Sequence, residues 1–165
     1  AGRSGLRDHR DRGGGHVFLS FVVRELRGME STRRDVTAEL SGLPYRTTIS
    51  ARGITAIADE PLDHGGQDAG LRPHELLLSA LASCTAITLR MYADRKQWDV
   101  GSIGVHAALD RTQEGRAIES RIHLEVSFSK ELPADQRERL LQIAGACPVH
   151  RTLESPITLT RSLKP

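Results

Sequence analysis

The residues best able to do chemistry are two cysteines, Cys84 and Cys147, and the histidine three positions beyond the second, His150. A thiolate is both a nucleophile and a metal ligand, so the surroundings of each thiol decide its use. Cys84 stands in Leu81-Ala82-Ser83-Cys84-Thr85-Ala86, a setting in which free cysteine commonly acts as a small buried hydrophobe. Cys147 stands before a proline in Cys147-Pro148-Val149-His150, a junction where core filling is less usual. That spacing is half of a zinc site, but zinc needs a second ligand pair, and the chain has no C-x-x-C or H-x-x-x-H. His150 and Arg151 could instead lower the thiol pKa or cap a helix end. His9, His16, His64, His74, His106 and His123 are scattered, and no nucleophile signature supports a cysteine–histidine hydrolase. The two cysteines are far apart in the chain, so a bond between them would be a tertiary event.

Composition narrows the field. The chain has 165 residues, 23 Lys+Arg against 21 Asp+Glu, and a formal net charge of +2. One domain with an arm fits that length. A charge near zero argues against nucleic acid as a partner, and aromatics at 4% argue against a base-stacking platform. Two cysteines are too few for a stapled secreted scaffold. Lysine occurs only at Lys96, Lys130 and Lys164. The arginine excess reads as genome base composition, with individual arginines left open as thiolate partners. The longest apolar run, residues 76–89, is shorter than the about 20 residues a membrane span needs. Residues 1–31 lack the pattern of a signal peptide. The expectation is a cytoplasmic protein with no membrane partner, where a cysteine pair is more often redox-active than structural.

The thiols need elements to place them. Residues 1–31 read as an N-terminal extension or arm, with a Gly13-Gly14-Gly15 run and an apolar patch at residues 17–23 suited to the body or a neighbouring subunit. Met29 could be an original start. Residues 32–165 read as the folded domain. Strands are expected over residues 36–40, 45–50 and 54–58, with turns at Ser41-Gly42 and Arg52-Gly53 and a loop at residues 63–70. Pro73 opens a helix through Ala93, apolar or small on all sides and so expected to be buried all round. Residues 103–109 and 121–128 alternate as two longer strands. Pro133 opens a second helix that Cys147-Pro148 ends, with one further turn at residues 149–153 and a last strand at 157–163. The order β-β-β-α-β-β-α-β makes the fold α+β.

The stretch from Pro73 through His74-Glu75-Leu76-Leu77 to Ser83-Cys84-Thr85-Ala86 resembles the "P-x-E-L-L … C" helix of the osmotically inducible / organic hydroperoxide resistance (OsmC/Ohr) superfamily. Cys147-Pro148-Val149-His150-Arg151-Thr152-Leu153, followed by Pro156-Ile157, resembles its second cysteine motif. Asp59-Glu60-Pro61 with Gly65-Gly66 is similar to the OsmC-like branch.

The resemblance implies two sheets around central helices in an intertwined homodimer. It implies a thiol-dependent peroxidase for small organic hydroperoxides, without cofactor or metal. Cys84 would be the peroxidatic cysteine and Cys147 the resolving one. A dithiol reductant, a lipoyl-protein or thioredoxin-like partner, would reopen their disulfide. The family's assisting arginine would correspond to Arg46, with Arg52 the other choice. Its glutamate directly follows the motif proline, where this chain has His74; the acid here is Glu75. On an unbroken helix, Glu75 and Cys84 are nine residues apart at about 100° each, which puts them on opposite faces, while His74 would lie about 80° from the thiol. Glu75 therefore reads more naturally as a helix-start residue. The alternative function is a non-peroxidatic OsmC-like protein that binds a small apolar ligand at the dimer interface.

Overall fold

A computed structural model describes residues 33–164. The arm and its apolar patch at residues 17–23 lie outside the described residues. From Thr37 onward the chain forms one unit, and the description concerns that unit. Three short strands form an antiparallel sheet: β1 (Thr37–Leu40), β2 (Thr47–Ala51) and β3 (Ile54–Ala58). Arg52 and Gly53 join β2 to β3 with positive φ at both positions, 53° and 80°. That is the two-residue turn whose twist matches paired strands. β2 starts two residues later than expected, because Tyr45 has φ 70° and cannot continue a strand.

Helix α1 (Pro73–Lys96) crosses the unit. Pro73 pre-sets its first turn, and the Glu75 carboxylate accepts the otherwise unpaired N–H of Arg72 at 2.9 Å. Gln97 ends it in the left-handed conformation. Strands β4 (Ile103–Glu114) and β5 (Ala117–Phe128) then form one long hairpin, paired from Ile103↔Phe128 to Glu114↔Ala117. In β5 the alternation holds as expected: Ile122, Leu124, Val126 and Phe128 are half-buried, and Arg121, His123, Glu125 and Ser127 are exposed. Helix α2 (Ala134–Ala144) follows, and α3 (Pro148–Glu154) turns the expected single turn into a short helix.

The core lies where the C-terminal half of α1 meets α2 and the base of the hairpin, around Leu89, Tyr92, Ala93, Val100 and Leu140. Tyr92 packs edge-on to Trp98 at 5.7 Å and receives a hydrogen bond from Arg139 Nε at 3.0 Å. Leu89 is wholly buried. Leu89→Ala is expected to lower unfolding stability by about 2–5 kcal/mol, read from urea or thermal melts, because α1 and α2 cannot close the cavity.

Two expectations are corrected. The last strand does not form within the chain: residues 157–163 pair with no strand among the described residues, and Leu159 and Leu163 are 88% and 98% exposed. A strand needs an edge to pair with, and these residues lie on none of the edges that the two sheets leave open. Nor is α1 buried all round. Its buried stripe is Leu81, Thr85, Leu89, Tyr92 and Ala93, while Ile87 and Met91 are 60% and 68% exposed. The hairpin, α2 and α3 pack against the helix, and no described residue covers Ile87 and Met91. With its full 24 residues, α1 is also long and apolar enough to cross a membrane by length and composition, beyond what the shorter run 76–89 suggested. Its buried stripe packs on the hairpin, α2 and α3.

Candidate functional site

Cys84 lies midway along α1, at a half-buried position beside the stripe that faces α3. Cys147 is the residue before α3 and is fully buried. Pro148 at the first helical position fixes that turn, and the N–H of His150 donates to Cys147 Sγ at 3.4 Å. α1 and α3 are in contact, and each thiol there acts on the ionisation of the other. Both are free thiols.

Burial pushes the Cys84 thiol up, and the neighbouring Cys147 pushes it the same way. Burial also opposes ionisation of Cys147. There it is outweighed by the Cys84 thiol, the His150 N–H, the Thr85 hydroxyl and the Val149 backbone, so the Cys147 thiol moves down. Within one protomer the donors gather on Cys147.

The other expected site residues stand apart from the thiols. Glu75 is spent on the first turn of α1, nine residues along an unbroken helix from Cys84, about 13 Å in rise and on the opposite face. His74 is exposed at that same first turn. Arg46 is exposed and acts on Asp59. Arg52 sits in the β2–β3 turn.

Asp59 organises the loop that leads into α1. It is buried, and its carboxylate accepts the N–H groups of Glu60 at 2.9 Å, Gln67 at 3.1 Å and Ala69 at 3.1 Å. A Cβ on Gly66 would strike the Glu60 backbone, which explains a glycine in that tight return. Burial opposes ionisation of Asp59, but the three N–H groups and Arg46 outweigh it and hold the carboxyl below its ordinary value. A depressed folded-state pKa stabilises the fold above the unfolded value and loses that contribution as pH falls through the folded one. Asp59→Asn is therefore expected to lower Tm by several degrees at neutral pH. The gap to wild type should shrink in melts taken below about pH 4.

Two cavities lie in the unit, neither lined by a cysteine. A cavity of about 310 Å³ opens beside α3, between Leu81 of α1, Ile122 and Leu124 of β5, and His150 and Leu153. A larger depression of about 540 Å³, between β5 and α2, has neither cysteine in its walls. The sequence reading missed Thr85 and the loop role of Asp59. Thr85 was detectable as the one hydroxyl on the Leu81, Thr85, Leu89 spacing of the buried stripe.

The fold is an α+β unit with two free thiols on packed elements, one midway along α1 and one just before the short proline-started α3. The chain belongs to the OsmC-like protein family, which matches residues 65–162. Solved structures agree on the fold. An OsmC-like protein from Mycoplasma pneumoniae is 20% identical, with a TM-score of 0.61 over 76% of this chain and 89% of that one. An organic hydroperoxide resistance protein OsmC from Legionella pneumophila is 14% identical, with a TM-score of 0.60 over 76% and 92%. An OsmC-like protein of unknown function from Vibrio cholerae is 15% identical, with a TM-score of 0.62 over 76% and 96%. No curated protein matches the sequence.

Proposed function

We propose that the protein is a thiol-dependent peroxidase that reduces organic hydroperoxides with Cys84 and Cys147. The observation that carries this reading is the packing of α1 on α3, which brings two cysteines distant in the chain near enough to act on each other's ionisation. Half-buried Cys84 is the sulfur an incoming peroxide reaches, and buried Cys147 waits behind it. The Cys84 thiolate attacks one peroxide oxygen, the O–O bond breaks, and the alkoxide leaves as an alcohol after taking a proton. Cys84 is then a sulfenic acid. Cys147 attacks that sulfur, the hydroxide leaves as water, and a disulfide remains. A dithiol such as a lipoyl-protein or a thioredoxin-like protein supplies the two electrons that reopen it. A reducing cytoplasm suits such a cycle.

The working unit we infer is a homodimer. The exposed Ile87 and Met91 on α1, and the unpaired apolar residues Ile157, Leu159 and Leu163, support it. Because Arg46 serves Asp59 within the protomer, any help it gives Cys84 would come across that dimer. The place of Glu75 on the opposite face of α1 from Cys84 favours a second reading, a non-peroxidatic protein that binds a small apolar ligand at the dimer interface. One experiment separates them. Mixing the reduced protein with one equivalent of an alkyl hydroperoxide is expected to consume the peroxide and lower the intact mass by about two units. Unreacted thiols and a small apolar molecule retained through purification would support the binding reading instead.

A further inference from the structure

The hydroxyl of Thr85 makes no close hydrogen bond in the reduced protein. Its residue is fully buried, and its Oγ has no hydrogen-bond partner among the described residues. Other hydroxyls on α1 turn back to the carbonyl four residues earlier: Ser83 to Ser79 at 2.7 Å and Thr88 to Cys84 at 2.8 Å. Thr85 does not make that bond. A buried hydroxyl left unpaired is destabilising, so its retention on the buried stripe calls for a state in which it is used. Its polar neighbour is the Cys147 sulfur, which already accepts the His150 N–H.

We propose that Thr85 is a positioning residue: its buried hydroxyl donates to the Cys147 sulfur when that sulfur carries charge, and so makes Cys147 the leaving group when the disulfide is reduced. This rests on the peroxidase reading for its use in turnover. The geometry sets the direction of reduction. Cys147 is enclosed and Cys84 is the more exposed sulfur. The reductant's first thiolate therefore attacks Cys84 Sγ and forms a mixed disulfide with it. The Cys84–Cys147 bond breaks and its electron pair stays on Cys147 as a thiolate, held by the Thr85 O–H and the His150 N–H. The reductant's second thiolate then attacks its own sulfur in the mixed disulfide, and Cys84 leaves as a thiolate. A leaving thiol of lower pKa departs faster. The downward displacement of Cys147 agrees with this placement.

The test compares Thr85→Val and Thr85→Ser. In a Cys84→Ser background only Cys147 titrates, and its thiolate is read by ultraviolet absorbance against pH, which needs no reagent to enter the site. Thr85→Val is expected to reduce the Cys147 thiolate population about tenfold at pH values below its pKa, since a hydrogen bond to a charged group is lost. Thr85→Ser should restore it. Thr85→Val should also leave Tm unchanged or raised, because an unpaired hydroxyl is removed; if that variant fails to fold, Thr85→Ala gives the same readout. In the two-cysteine protein, Thr85→Val should make the disulfide about tenfold harder to reduce against a dithiol buffer. Identical thiol titrations for threonine and valine would overturn the proposal whether or not the protein is a peroxidase. A disulfide that never forms in the wild type would instead sink the peroxidase reading, and with it the leaving-group role.

Discussion

Replacing Cys84 with serine is expected to abolish hydroperoxide consumption, a fall on the order of a thousandfold or more in the initial rate of an alkyl-hydroperoxide assay with a dithiol reductant. The serine hydroxyl has nearly the same shape, so the fold should survive, and unchanged melting would show that the loss is chemical. What disappears is the one thiol that lies both on the central helix and within reach of solvent. Cys147 cannot take its place, because it is enclosed at the start of α3 with no exposed surface. In Cys84→Ser the peroxide should persist and the intact mass should stay at its reduced value. Equal rates for wild type and Cys84→Ser would remove Cys84 from the reaction and with it the peroxidase reading.

The dependence on Cys84 also shows which parts of the arrangement could be read from residues alone. The period-two alternation of residues 121–128 identified β5 and its buried face, because one face of a hairpin must meet the core. Pro73 marked the start of α1, and half a turn of angular offset was enough to separate Glu75 from Cys84 before any contact was known. Local signals of this kind depend only on neighbours in the chain. The misreadings occur where a partner surface decides. Residues 157–163 alternate well enough for a strand, but alternation does not supply the edge that a strand pairs with. Residues around Ile87 and Met91 are apolar as a core helix would be, yet no described residue buries them. Tyr45 shortened β2 through a positive φ that its residue type does not announce. The contact between Cys84 and Cys147 was carried by resemblance alone, because the packing of α1 on α3 that creates it leaves no mark on spacing. Thr85 escaped notice for a related reason: what sets it apart is an absent hydrogen bond.

The second large effect concerns what happens to Cys84 after it is oxidised. In Cys147→Ser, the first reaction with peroxide is expected to proceed, because Cys84 and its approach are intact. The product differs. With no second thiol to condense, the sulfenic acid should persist and the intact mass should rise by about sixteen units instead of falling by about two. Steady-state turnover should drop on the order of tenfold or more, since the external reductant must then meet a sulfenic acid on a half-buried residue directly. Excess peroxide should also inactivate the variant within a few turnovers, by driving Cys84 on to sulfinic acid, which a dithiol does not reduce. Wild type should resist that inactivation, because Cys147 stands where α3 packs on α1 and needs no diffusion to attack. A disulfide mass in Cys147→Ser would refute the resolving role. A sulfenic acid that survives unchanged in wild type would refute it equally, and would assign the contact between the two thiols to packing.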